Sequence, residues 1–160
     1  KISDISINAA AEYMLDQQFY ERLKKNDILT IKDNFILVEL SYFEPPINLY
    51  EILFEIKTMG YKPILAHPER YNFFHNNINN YYQLKKRGCL FQLNILSLTN
   101  HYGKTVNKMT KILLKEKLFD FIGTDIHHSH HLRLTSSLLT KKNKKLINHL
   151  LTNNLNLLTT

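Results

Sequence analysis

"YKPILAHPERY", residues 61–71, decides the fold. Pro63, Ile64, Leu65 and Ala66 bury well, and they run straight into His67, Pro68, Glu69, Arg70 and Tyr71. A short apolar run that ends in a knot of ionisable groups has the pattern of a buried strand with its chemistry at the C-terminal end. The alternative is a turn that happens to carry charge, so the neighbouring segments must decide.

Working outward, strand-like and helix-like segments alternate. Residues 34–41 (NFILVELS) read as a buried strand, and residues 45–60 carry Leu49, Ile52, Leu53 and Ile56 at helical spacing. Pro45 and Pro46 stand at the start of that helix and Gly60 just past its end. Residues 4–15 (DISINAAAEYML) carry a short β-like run, and residues 17–26 are a helix or a short connector. Downstream, residues 79–88 form a helix closing on Gly88. Residues 89–94 form a strand, and residues 103–118 a helix with Val106, Met109, Ile112 and Leu113 on one face. Residues 119–125 form a strand, and a final helix covers about 132–152. Such units predict right-handed crossovers and a parallel sheet, either open and doubly wound or closed as a (β/α) barrel.

At 160 residues the chain has room for one domain with a sizeable core. Hydrophobic residues at 44% and charged residues at 22% exclude a disordered chain. No apolar run approaches the roughly 20 residues that span a bilayer. The single cysteine, Cys89, forms no internal disulfide; it reads as a small buried hydrophobe and fits a cytoplasmic protein. Net charge is +7, in short clusters (Lys24-Lys25, Lys85-Lys86-Arg87, Lys141-Lys142, Lys144-Lys145) that read first as solvated helix faces. A basic surface also favours anionic partners.

Ionisable residues recur at one place in these units. Glu12, Glu39, His67 and Asp125 each fall at the C-terminal end of an expected strand, with steps of 27 and 28 residues between the first three. Each taken alone has an ordinary reading as a strand-end charge or a satisfied core histidine. Together they would crowd one rim, where carboxylates and imidazoles repel or stay unsatisfied unless cations lie between them. The mixture suits borderline to hard divalent ions such as Mn²⁺, Zn²⁺ or Fe²⁺. Asp125 and His127 in "GTDIH" are expected on the same side of an extended strand end. His128, His130 and His131 read as solvent-exposed and are not assigned as ligands. Arg70, three residues past His67, is placed to grip phosphate oxygens, or else to pair with Glu69 or Glu55; Arg133 is a second candidate. Tyr42, Phe43 and Tyr71 are candidates for an aromatic entrance.

The stretches "EYMLD", "LVELSYFEPP", "GYKPILAHPERY", "GCLFQLNILSL" and "FIGTDIHH" resemble the bacterial tyrosine phosphatases of the polymerase-and-histidinol-phosphatase (PHP) superfamily, which are encoded with capsule and exopolysaccharide genes. The resemblance runs from about residue 5 to residue 135. It implies an α/β fold, a distorted, TIM-like (β/α) barrel of seven strands, with residues 1–160 as a single domain lacking the first βα units. It implies up to three divalent metals, typically Mn²⁺, with Glu12, Glu39, His67, Asp125 and His127 as ligands. Arg70 matches the phosphate-gripping arginine; Arg133 stands near a second one, with its offset from Asp125 shifted. His127 or a neighbour would assist the leaving phenolate.

The implied reaction is hydrolysis of phosphotyrosine in a protein, such as a tyrosine-rich kinase tail that controls polysaccharide export. The setting would be cytoplasmic, with no nucleic acid partner expected and a homo-oligomer allowed. The family's opening "H-x-H" strand and its "T-P-H" strand belong upstream of Glu12, where only eleven residues stand. The chain is therefore expected to be truncated at its N-terminus, degenerate, or dependent on ligands from a partner, with little or no turnover by itself. Another phosphoesterase of the superfamily and a non-catalytic remnant are the alternative readings.

Overall fold

The structure is a computed structural model that describes residues 7–138 and 140–159. Five parallel strands form one sheet in the order β1-β2-β3-β4-β5. They are β1 (Glu12–Met14), β2 (Phe35–Glu39), β3 (Lys62–Ala66), β4 (Leu90–Asn94) and β5 (Phe121–Gly123). Between them run α1 (Gln17–Lys24), α2 (Leu49–Thr58), α3 (Asn79–Lys86) and α4 (Lys104–Lys115), and after β5 come α5 (Ser129–Leu138) and α6 (Lys141–Thr159).

Local chemistry explains the elements. Asp16 caps α1 by accepting the Phe19 N–H at 2.9 Å. Helix α2 buries Leu49, Ile52, Leu53 and Ile56, and α4 buries Val106, Met109, Thr110 and Leu113; both sets follow the i, i+3, i+4, i+7 spacing of one helix face. Gly60 and Gly88 follow α2 and α3 at φ +87° and +83°, the left-handed conformation that closes a helix and that glycine adopts without a Cβ penalty. The Tyr61 and Cys89 N–H groups then reach back to the Ile56 and Leu84 carbonyls and complete each cap.

The strands have two unlike faces. Ile36, Val38, Leu40, Leu65, Phe91, Leu93 and Ile122 are buried in one core with the helical residues. The alternate positions Phe35, Leu37, Leu90, Gln92 and Phe121 are only half-buried. The end of α6 borders that second face, where Asn154, Leu157 and Leu158 meet Ile64, Gln92 and Phe121. Cys89 is buried as a small hydrophobe, and burial pushes its thiol up to about 12. Lys144 and Lys145 are exposed on α6, and Lys85 pairs with Asp120. Among the described residues no helix is long and apolar enough to cross a membrane.

Three expectations change. Among the described residues the sheet is open: its strands follow one another in sequence order, as around a barrel, but β1 and β5 are edges and do not meet. Helix α6 covers the β5 edge. The Ile122 N–H donates to Asn154 Oδ1 at 3.1 Å, and Asn154 Nδ2 donates to the Ile122 carbonyl at 2.7 Å. A side-chain amide thus occupies both bonding positions that another strand would take. Secondly, the short β-like run expected within 4–15 is the strand Glu12–Met14, so Glu12 opens it rather than ending it; residues 4–6 lie outside the described residues. Asn8 and the three alanines that follow favour strands poorly. Thirdly, the single helix expected over 132–152 is two. Thr140 stands just before α6, its Oγ1 accepting the Asn143 N–H at 3.3 Å while Asn143 Nδ2 donates to the Leu138 carbonyl at 2.9 Å.

Candidate active site

A cleft of about 470 Å³ opens at the C-terminal rim of the sheet, lined by Glu12, Glu39, Tyr42, His67, Arg70, Tyr102, Asp125, His127 and His131. Each strand delivers its residue differently. Glu39 is the last residue of β2, and His67 immediately follows β3. His67 has φ 37° and ψ 53°, a left-handed conformation that ends the strand and starts the 3₁₀ turn Pro68–Arg70. Asp125, two residues past β5, is left-handed too, at φ 48°. The expected extended Asp-x-His segment is therefore interrupted at Asp125 itself. Asp125 and His127 still line one cleft, but the Asp125 side chain is 16% exposed and that of His127 72%. Glu12 opens β1 rather than ending it, opposite Leu37, two positions below the Met14–Glu39 pair. Its long side chain makes up the difference.

Glu12 Oε1 lies 3.2 Å from His67 Nε2, and Glu39 Oε2 lies 3.7 Å from the same nitrogen. The three ligand atoms fall within 4.8 Å of one another, close enough to hold one metal ion. Burial, and next the charge of Glu12, push the Glu39 carboxyl above its usual range; His67 and Arg70 oppose the shift. The Nδ1 of His67 is buried without a hydrogen-bond partner among the described residues. Two carboxylates sharing one imidazole leave negative charge that a cation offsets.

Across the cleft the groups are balanced. Arg70 Nη1 donates to Asp125 Oδ2 at 2.8 Å, so neither Glu69 nor Glu55 is its partner. The guanidinium carbon lies 4.8 Å from the Tyr42 ring centroid and 4.1 Å from that of Tyr102. Asn94, last in β4, donates from Nδ2 to Asp125 Oδ2 at 3.0 Å and to the Tyr102 hydroxyl at 3.1 Å. Its Oδ1 accepts the Leu96 N–H at 3.0 Å. Glu69, fully buried behind the rim, accepts the Asn94 N–H at 3.0 Å, and burial raises its carboxyl above the usual range.

Arg133 is exposed on α5 and is not among the residues lining the cleft. Tyr71 is no entrance residue: it is fully buried, its hydroxyl accepting the Leu40 N–H at 2.9 Å and donating to the Ala66 carbonyl at 3.1 Å. Phe43 is exposed beside the cleft without lining it. Sequence reasoning passes over Tyr102 and Asn94. "QLN" ending a strand is a signal for Asn94, since strand ends mark the other residues; Tyr102 has none. His131, read from the sequence as solvent-exposed, is half-buried and lines the cleft.

The family profile described as "Capsular polysaccharide synthesis, CpsB/CapC" matches residues 1–158. The chain is 29% identical to CapC of Staphylococcus aureus over 124 residues, 77% of this chain and 49% of that protein. It is 28% identical to the tyrosine-protein phosphatase YwqE of Bacillus subtilis over 107 residues, 66% of this chain and 42% of that one. It is also 28% identical to the tyrosine-protein phosphatase CpsB of Streptococcus pneumoniae over 131 residues, 78% of this chain and 54% of that one. The chain thus spans about half the length of the curated relatives it matches. Among solved structures it resembles one from the pair YwqE of B. subtilis and CpsB of S. pneumoniae, described as metal-dependent tyrosine phosphatases. The TM-score is 0.77 at 24% identity, covering 93% of this chain and 63% of that one, a likeness of fold. On the profile match across almost its whole length, the chain belongs to the CpsB/CapC capsular polysaccharide synthesis family.

Proposed function

We propose that this chain belongs to a metal-dependent phosphatase that hydrolyses phosphotyrosine in a protein of capsule or exopolysaccharide synthesis. A tyrosine-rich kinase tail in the cytoplasm is the expected substrate. The carrying observation is the convergence of Glu12, Glu39 and His67 on one point beside Arg70, in a chain of this family. On this reading the five strands are an arc of a PHP-type (β/α) barrel, and Asp125 and His127 complete the local ligand set.

Two carboxylates and an imidazole make a donor set that fits Mn²⁺ or a similar divalent ion. When bound, such an ion supplies Lewis acidity, which acidifies water and offsets charge on a phosphoryl group. The chain's own residues do the rest. Arg70 spends one of its five N–H donors on Asp125, and the others are available to grip phosphate oxygens as a fork. The rings of Tyr42 and Tyr102 hold that guanidinium in one plane, so little side-chain freedom is lost when phosphate arrives. The Tyr42 hydroxyl, 3.5 Å from His67 Nε2, stays protonated at neutral pH because burial pushes it well up. Arg133, as it stands on α5, takes no part.

The test measures Mn²⁺ uptake, then phosphate release from a phosphotyrosine peptide and from histidinol phosphate, and nucleotide release from single-stranded DNA. Mn²⁺ uptake is expected, with weak release from the peptide alone; Glu39→Ala and His67→Ala each abolish both. No Mn²⁺ uptake, or equal turnover of the other two substrates, sinks the reading. A second reading, a metal-binding remnant, is favoured by the half-length match; its signature is Mn²⁺ uptake with no release from any substrate.

A further inference from the structure

Five of the eight histidines gather at one edge of the cleft, although the sequence places one of them far from the rest. His127, His128, His130 and His131 come from the turn leading into α5 and from its first residues. His101 comes from the loop before α4. The ring centroids of His101 and His131 lie 5.1 Å apart with planes at 90°, and those of His128 and His131 lie 3.8 Å apart at 45°. His130 stands 6.5 Å from His101 and 6.2 Å from His128. His101, His128 and His130 are exposed, and His131 is half-buried.

Two imidazoles that bind one tetrahedral ion through nitrogens about 2.0–2.1 Å from it have ring centres about 5 Å apart. The His101–His131 pair already has that spacing. His128 stands closer to His131 than that spacing, and as an exposed side chain it has room to turn toward a shared ion. Neither partner of a hydrogen-bonded network holds the cluster shut: the one bond His131 makes to a neighbouring carbonyl is to Asp125 at 3.3 Å, through Nδ1, which leaves its Nε2 for a ligand role. No carboxylate belongs to the trio. That separates it in chemistry from Glu12, Glu39 and His67, the described trio whose ligand atoms already lie within 4.8 Å. All-imidazole sites select Zn²⁺, Ni²⁺ and Cu²⁺, whereas carboxylate-rich sites also accept Mn²⁺.

We infer that His101, His128 and His131 form a second metal site at the mouth of the cleft, specific for borderline transition ions and distinct from the carboxylate-bearing site. His131 belongs to the lining of the cleft, so an ion held there narrows the entrance. His127 remains with Asp125.

The test uses the whole chain with Ni²⁺ and Mn²⁺ as probes, read by calorimetry and by metal analysis after desalting, with Cu²⁺ as a spectroscopic probe of nitrogen coordination. Two variants divide the sites: His101→Ala/His128→Ala, and Glu39→Ala/His67→Ala. The substituted rim histidines are exposed, and a circular dichroism melt checks that each variant is folded. The expected result is that His101→Ala/His128→Ala weakens Ni²⁺ binding at least tenfold and removes the multi-nitrogen Cu²⁺ signature while leaving Mn²⁺ uptake unchanged. Glu39→Ala/His67→Ala then keeps the Ni²⁺ site. Unchanged Ni²⁺ affinity in the rim variant, or loss of Ni²⁺ binding only in Glu39→Ala/His67→Ala, overturns the inference. Failure of the phosphatase reading leaves this result untouched, because no turnover is measured.

Discussion

Glu12, Glu39 and His67 stand on or just past strands β1 to β3; Asp125 and Arg70 stand across the same cleft, and the two groups are satisfied in opposite ways. The first set has two carboxylates facing one imidazole, and burial, then repulsion from Glu12, lifts the Glu39 carboxyl above its usual range. The second set is closed on itself. Asp125 accepts from Arg70 and Asn94, and Arg70 is sandwiched by Tyr42 and Tyr102. The first wall invites a cation, and the second is preformed to meet an anion. The difference teaches that one rim can carry both demands when the acidic residues are split between an unbalanced set and a balanced one.

Asn94 is the residue whose loss should disturb the comparison most. Asn94→Ala removes the only described side-chain amide on Asp125 and frees Tyr102. Outer groups that orient ligands are typically worth roughly 10–100-fold in metal affinity or activity. A fall of that size in Mn²⁺ affinity, measured by calorimetry, is expected, whereas unchanged affinity would separate Asp125 from the metal site altogether.

Tyr71 braces the unbalanced wall from behind, its hydroxyl bonded to backbone at the ends of β2 and β3. Tyr71→Phe leaves the buried Leu40 N–H without its acceptor. The expected loss is about 1–3 kcal/mol in urea denaturation, and a stable variant with intact metal uptake would mean that the brace is redundant.

The smallest effect belongs to Glu69. Burial holds its carboxyl above the ordinary range, so the folded chain keeps a proton there that the unfolded chain has released. Between the ordinary value and the raised one, stability falls as pH rises, and above the raised value it stays at the lower level. Glu69→Gln should flatten that part of the stability profile, measured from about pH 4 to about pH 8; a slope identical to the parent chain would show that Glu69 is not its source.

Much of this arrangement was legible from residue pattern. The apolar runs before Glu39 and His67 located β2 and β3, and Gly60 and Gly88 marked helix ends, because side-chain periodicity and glycine caps are local properties. Glu12 was misplaced within its strand because register between β1 and β2 depends on pairing, which no single segment contains. The left-handed Asp125 escapes the sequence for a related reason: it has no distinctive neighbour, and an extended reading of "GTDIH" is equally compatible with its composition. The histidine run announces His131 but reads as solvent-exposed, because the burial of one of its members depends on packing that the run itself does not contain, and nothing within its own segment announces Tyr102.

His67 and Asp125 both occupy a backbone region that most side chains avoid at a penalty of about 1 kcal/mol or more each. Glycine would relieve that penalty, yet at position 67 it would empty a buried space beside Tyr42 and Tyr71, and at position 125 it would strip Arg70 and Asn94 of their acceptor. Heat tolerance and chemistry are therefore tied to the same two side chains, and a library that varies them cannot trade one for the other.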